Sequence, residues 1–301
     1  LNIPVYSDRV IQEFIDKYEY PEKSYATKYN KNFVRAKGMY LWDITGKRYI
    51  DCLNGFGVNI YGHNPECLQS VLREYINTNP LWQSIDLFTP ERIDFVEELF
   101  GLLPDELKEY KICFPGPTGS ESVEAAIQIA QKTTKRRGIF SFAGCYHGNT
   151  MCTNSLTGNK HCSSIGTTGY IYHMPFPRKN KDDCPFELGG VQSINTSLSY
   201  IRNLLKDPKG GTDIPAAMII EPCQSDGGII PTPPEFLKGL KHICDDYNII
   251  FISDEVQTGF GKTGHLFGYQ HANIVPDILC CSKSWGGGLP LAFTLYKDTL
   301  D

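Results

Sequence analysis

The chain has no apolar run approaching the roughly 20 residues that a membrane-crossing helix needs. Its opening Leu1-Asn-Ile-Pro lacks the basic and apolar regions of a signal peptide. No basic run offsets the net charge of −5, which argues against a nucleic-acid surface. The 11 cysteines show no CxxC spacing, and an odd, scattered count does not build a disulfide framework. HExxH is absent, and His147 has no metal-ligand spacing to the other histidines. Internal repeats and low-complexity tracts are also missing. These absences leave a soluble, cytoplasmic protein as the expectation, with no nucleic-acid, membrane or metal partner. What is present, 41% apolar and 12% aromatic residues over 301 positions, is enough for one large domain or two smaller ones.

Two short apolar runs carry most of the information. Asn248 to Ser253 closes on Asp254, and Asp277 to Ser282 closes on Lys283. Both are rich in β-branched residues or cysteine and read as buried strands of a parallel sheet. In such sheets ligands sit beyond the carboxyl ends of the strands, so Asp254 and Lys283 should face one crevice. Alone, a strand-end aspartate is often a helix cap and a buried lysine is usually paired. Together, with Gly286-Gly-Gly288 following, they suggest a pyridoxal phosphate site with Lys283 as the Schiff-base lysine.

Around these runs, patterns alternate as in a doubly wound α/β sheet. An amphipathic stretch, Val10 to Tyr18, precedes strand-like Phe33 to Ala36 and Tyr40 to Trp42 and a turn at Thr45-Gly-Lys. Pro65 to Tyr75, Pro90 to Phe100, Ser120 to Lys132, Ser193 to Leu205 and Pro234 to Tyr247 read as helices. Tyr110 to Phe114, Gly138 to Phe142 and Ala216 to Ile220 read as further strands. Thr118-Gly119-Ser120 opens a helix, with Thr118 and Glu121 spaced for a capping box. That helix N-terminus is also suited to an anion such as phosphate. Gly259-Phe-Gly261-Lys-Thr-Gly264 fits the dinucleotide pattern GxGxxG, but Gly268-Tyr-Gln-His ends any helix early. It reads as an active-site loop, with a nicotinamide enzyme as the alternative.

Six strings occur in one order along the chain: YLWDITGKRYIDCLNGFGVNIYGHNP (Tyr40 to Pro65), FPGPTGSESVEAA (Phe114 to Ala126), CYHG (Cys145 to Gly148), IIEPCQSDGG (Ile219 to Gly228), SDEVQTGFGKTG (Ser253 to Gly264) and CSKSWGGGLPLA (Cys281 to Ala292). In that order they resemble the class III aminotransferases. PTGSE in place of the commoner NSGTE, MPFPRKNKDDCPFELGG (Met174 to Gly190) and NLLKDP (Asn203 to Pro208) are similar to the diaminobutyrate–2-oxoglutarate aminotransferases among them.

The resemblance implies the fold type I (aspartate aminotransferase-like) of pyridoxal-phosphate-dependent transferases. Residues 1–55 would then be the N-terminal part of a small domain. Residues 56–301 would form a large cofactor-binding domain, a mostly parallel sheet with helices on both faces. Family members continue into a C-terminal subdomain, so this chain is expected to be a piece of a longer one. A homodimer is also implied.

For the site, the resemblance implies phosphate binding at Thr118, Gly119 and Ser120, and Tyr146 stacked on the cofactor ring. It makes His147 a supporting hydrogen-bond residue, Asp254 the partner of the ring nitrogen, and Gln257 the partner of the phenolic oxygen. Lys283 becomes the catalytic lysine, whose amine a cationic cofactor ring would help to keep neutral. Glu255 is expected to support its loop. Phe56 matches a position lining the substrate side. Asp226 matches the glutamate that pairs with an arginine of the C-terminal subdomain in relatives, with a shorter arm, and that arginine would lie beyond Asp301. Asp86 could attract an ammonium. The implied substrates are an amino donor, L-2,4-diaminobutyrate first, and the 2-oxo acid 2-oxoglutarate. Ornithine, 4-aminobutyrate or a diamine remain open as donors, and a non-catalytic fragment that binds a partner remains open as a different class.

Overall fold

The computed structural model describes residues 6–19, 31–82, 87–159, 170–183 and 185–301. The chain divides into two compact units, residues 1–85 and 86–301.

The first unit opens with helix α1 (Asp8–Tyr18), capped by the Ser7 side chain, and a three-stranded antiparallel sheet of β1 (Phe33–Lys37), β2 (Tyr40–Asp43) and β3 (Arg48–Ile50). Asp43 holds the β2–β3 turn: its carboxylate accepts hydrogen bonds from the Thr45 hydroxyl and amide, the Lys47 amide and the Tyr49 hydroxyl. The short turn α2 (Asn54–Gly57) is left-handed, with Asn54, Gly55, Phe56 and Gly57 at φ of 52°, 58°, 54° and 86°. Asp51 pins it, accepting from the Leu53 and Asn54 amides while its second oxygen lies 2.7 Å from His63 Nε2. His63 and Gly38 exchange backbone hydrogen bonds, which ties the segment after α2 to the small sheet. Helix α3 (Glu66–Asn77) follows.

The second unit holds α4 (Pro90–Leu102), β4 (Tyr110–Cys113), α5 (Gly119–Thr134), β5 (Ile139–Phe142), α6 (Met151–Leu156), β6 (Ile171–Met174), α7 (Gly190–Lys206), β7 (Ala217–Ile220), the short pair β8 (Cys223–Gln224) and β9 (Ile230–Pro231), α8 (Pro234–Tyr247), β10 (Ile250–Asp254), β11 (Ile278–Cys281) and β12 (Phe293–Lys297). Seven strands form one sheet in the order β4-β12-β11-β10-β7-β5-β6. All run parallel except β12, which is antiparallel to both its neighbours.

Strand periodicity explains the layers. Ile139, Ala217, Ile219, Ile250, Ile252, Ile278 and Cys280 bury one face against Val123, Ala126, Ile127 and Ala130 of α5. Their neighbours Phe140, Phe142, Met218, Ile220 and Phe251 bury the other against α7 and α8, through Ile194, Ile201, Phe236, Leu237, Leu240 and Ile243. A sheet covered on both faces favours apolar residues on both sides of each strand, and β5, β7, β10 and β11 are buried throughout. The expected helices and strands are present with ends shifted by a few residues. The short α6, β6, β12 and β3 are additional, because neither length nor periodicity marks them.

Candidate active site

The carboxyl ends of β4, β5, β7, β10 and β11 lie along one edge of the sheet, and one cavity of about 180 Å³ opens there. Thr118, Gly119 and Ser120 line it from the start of α5, Tyr146, His147 and Gly148 from the loop after β5, and Glu221 from the end of β7. Ser225 and Asp226 come from the β8–β9 hairpin, Asp254, Val256 and Gln257 from the end of β10, and Lys283 from the end of β11. Every expected site residue among the described part of the second unit is in this set. Phe56 belongs to the first unit, where it is 45% exposed on its left-handed turn. Asp86 lies outside the described residues.

Strand parity puts Asp254 on the α5 face, in step with Ile250 and Ile252. Continued past Cys281, the same parity would send Lys283 to the opposite face, in step with Leu279 and Cys281. The chain leaves the strand at Ser282 and Lys283 takes φ of 50°, a left-handed conformation rare outside glycine, and the lysine reaches the same cavity as Asp254. Its Nζ donates to Gln257 Oε1 at 2.6 Å. Burial lowers the Lys283 pKa, against the attraction of Asp226, Asp254 and Glu221. The protein's own burial of this side chain thus acts in the direction of the neutral amine.

Asp254 is 3% exposed. One oxygen accepts from the Val256 amide at 3.1 Å, and the other lies 2.6 Å from His147 Nδ1. Burial disfavours charge on His147, but the Cys145 sulfur and the Asp254 carboxylate outweigh it and hold the imidazole pKa well above the usual histidine range. Nδ1 therefore donates to Asp254 and keeps it oriented. The His147 amide donates to Thr157 Oγ1 at 3.1 Å.

At the start of α5 the capping box is complete. The Thr118 amide and hydroxyl both donate to Glu121 Oε2, at 2.9 and 3.0 Å, and the Glu121 amide donates back to Thr118 Oγ1 at 3.4 Å. Thr118 thus spends its donors on the cap. Gly119 and Ser120 supply the first two helical amides, which no helical carbonyl can satisfy, and both line the cavity. A Cβ on Gly119 would lie 2.7 Å from Val256 Cγ1, and one on Gly148 would lie 2.1 Å from Ser120 Oγ. At both positions a larger residue would force a neighbour to shift.

Glu255 is fully buried and accepts from Ser253 Oγ, Thr258 Oγ1 and the Gly268 and Tyr269 amides. It braces the loop after β10, as expected. That loop, from Glu255 to Phe267, is not helical, so the GxGxxG string has no helix N-terminus on which to seat a pyrophosphate. Sequence reasoning gave no role to Glu221, Ser225, Val256 or Gly148. Glu221 could have been found by the signal that found Asp254, since it too closes a buried apolar run. Burial pushes its pKa up to about 8.

The group suited to this cavity needs an anionic end at the α5 amides, a cationic ring atom beside Asp254 and a carbon that an amine can attack at Lys283. Pyridoxal phosphate has all three. A family model, Aminotransferase class-III, matches residues 23–300. The chain belongs to the class III aminotransferases.

The diaminobutyrate–2-oxoglutarate aminotransferase of Rhizobium meliloti (strain 1021) is 38% identical over 96% of this chain and 62% of that protein. The transaminase of the same description from Halalkalibacterium halodurans is 39% identical over 93% of this chain and 64% of its own. The chain thus spans less than two thirds of the length of these curated relatives. Among solved structures, an (S)-enantioselective omega-transaminase from Thermomicrobium roseum superposes with a TM-score of 0.82 at 26% identity, over 99% of this chain and 68% of that one. A PLP-bound amine transaminase from an uncultivated Pseudomonas species gives 0.83 at 26% identity, over 94% and 66%.

Proposed function

We propose that this chain is the cofactor-binding part of a diaminobutyrate–2-oxoglutarate aminotransferase. The reaction is reversible transfer of the terminal amino group of L-2,4-diaminobutyrate to 2-oxoglutarate, giving aspartate 4-semialdehyde and glutamate. The observation that carries this reading is the placement of Asp254 and Lys283, from neighbouring strand ends, in one cavity with the α5 N-terminus. The names of the relatives support the choice of donor.

Pyridoxal phosphate, when bound, supplies an electrophilic carbon and an electron-accepting ring. The Gly119 and Ser120 amides and the Ser120 hydroxyl would hold its phosphate, with the helix N-terminus favouring the anion. Thr118 shapes that turn through its cap more than it binds directly. Tyr146 would pack on the ring. Asp254, oriented by His147 and the Val256 amide, would accept a hydrogen bond from the protonated ring nitrogen and so keep that proton on the nitrogen. Gln257 sets the position of Lys283 Nζ and would meet the phenolic oxygen. Lys283 would anchor the cofactor, and its amine, when neutral, would be the base that takes a proton from the carbon bearing the transferred nitrogen. Phe56 and Asp226 are assigned to the substrate end. Within this reading residues 1–55 are part of the small domain and the later residues the large one, and the enzyme is a cytoplasmic homodimer.

Borohydride treatment of the full-length enzyme followed by peptide mapping should place a reduced pyridoxyl group on Lys283. An adduct on any other lysine overturns the assignment.

A further inference from the structure

Two loops bring the ring-facing and substrate-facing residues to the cavity. One follows β5 and carries Tyr146; the other is the β8–β9 hairpin carrying Asp226. Glu221 stands between them, 4% exposed. Its Oε1 accepts from the Tyr146 amide at 2.8 Å and its Oε2 from the Ser225 amide at 3.2 Å. Each oxygen serves a different loop. The residue is firmly mounted, since its own carbonyl accepts from Thr232 Oγ1 at 2.7 Å and the next carbonyl from the Thr232 amide at 2.9 Å. The loops also touch directly. Gln224 Nε2 donates to the Ala143 carbonyl at 2.9 Å, and a Cβ on Gly227 would lie 2.6 Å from the Gly144 carbonyl oxygen.

We propose that Glu221 is a positioning residue whose two oxygens hold the Tyr146 loop and the Asp226 hairpin in one register. The ring that packs on the cofactor and the carboxylate that faces the donor are then set by a single side chain. The chemistry explains why a carboxylate stands here. Two converging backbone N–H groups need two acceptors on one short side chain, and an amide offers one acceptor and turns N–H against N–H. Packing alone would not need that pair of acceptors. Because both oxygens are engaged by backbone donors, Glu221 acts through the loops and not on the reacting atoms.

The inference rests on the functional reading above, and the test separates the two. In the full-length enzyme, Glu221→Gln and Glu221→Asp are compared with Gln224→Ala, which removes a loop-to-loop bond but leaves Glu221 intact. Asp keeps the carboxyl group but is one methylene too short to reach both amides. For both Glu221 variants the visible circular dichroism of bound pyridoxal phosphate should weaken, and its dissociation constant should rise roughly tenfold, as for a buried backbone donor left without its acceptor. KM for the donor should rise by a similar factor, with a smaller change in kcat. Gln224→Ala should lower the melting temperature without moving either binding constant. Should one Glu221 variant fail to fold, the other decides. A folded variant with wild-type dichroism and KM overturns the proposal, as does an effect confined to cofactor or donor alone. A wild-type enzyme that shows no bound-cofactor band overturns the functional reading and this inference with it.

Discussion

At the scale of single residues, Asp254 and Lys283 are told apart by their surroundings. Asp254 is fixed on both oxygens, so Asp254→Ala should keep the fold yet lose the charge beside the ring nitrogen. Turnover should fall roughly a hundredfold or more, as when other preorganised electrostatic partners are removed. Steady-state kinetics beside a far-ultraviolet dichroism spectrum checks this, and near-normal turnover refutes the role. Lys283 has the opposite problem, a cation in a buried place. Burial lowers its pKa, so the folded protein without cofactor holds this proton less tightly than the unfolded chain. Protonated Lys283 therefore costs stability below its folded pKa, and the cost fades as pH rises toward the ordinary 10.5. Lys283→Met should accordingly raise the melting temperature of cofactor-free protein at neutral pH, with the gain shrinking toward about pH 10.5. A variant that melts lower than wild type at neutral pH contradicts this. Both residues were legible in the sequence because each closes an apolar run. The left-handed turn at Lys283 was not, since nothing in a lysine codes for it; tertiary packing imposes it.

At the scale of elements, the start of α5 does two tasks with separate residues. Thr118 and Glu121 close the cap, while Gly119 and Ser120 face the cavity. Gly119→Ala leaves the cap chemistry intact but drives a methyl against Val256, itself a cavity residue. Overpacking of this kind costs about 1–3 kcal/mol, and here it should appear as weaker pyridoxal phosphate binding, roughly tenfold or more by titration. Unchanged affinity would mean the helix N-terminus is not where the phosphate sits. The capping box and the apolar face of α5 were legible in full, because both are local patterns of three to four residues. The strand β12 was not. It pairs with β4 and β11, and the β4 partner lies far away in sequence, as in Thr294 beside Cys113. Such pairing is decided by the sheet edge it completes and leaves no local trace. The left-handed α2 turn was also invisible, although its flanking Gly55 and Gly57 were in plain view.

At the scale of the whole molecule, the donor must be read from the acidic end of the cavity. Glu221, Asp226 and Asp254 all line it, but burial raises the Glu221 pKa and Asp254 is paired with His147, so Asp226 is the carboxylate left to attract a cationic amino donor. Of these, only Asp226 is exposed and carried on a hairpin tip. An aspartate there leaves more room than a glutamate, but the motifs that point to diaminobutyrate, GPTG at Gly116 to Gly119 and the segment around Pro185 to Gly190, do not touch the donor chemistry. Chain length is what separates the candidates: ornithine adds one methylene between its two ammonium-bearing carbons. A methylene in such a pocket shifts discrimination by only about 1–3 kcal/mol, so selectivity should be graded and not absolute. The full-length enzyme should therefore use L-2,4-diaminobutyrate with the highest kcat/KM, ornithine measurably less well, and 4-aminobutyrate, which lacks the second ammonium, least. Assays of the three donors with 2-oxoglutarate as acceptor give the ranking directly. If ornithine or 4-aminobutyrate comes first, the aminotransferase reading stands and the choice of donor falls, because the cavity's carboxylates would then be selecting on something other than a short diammonium spacing.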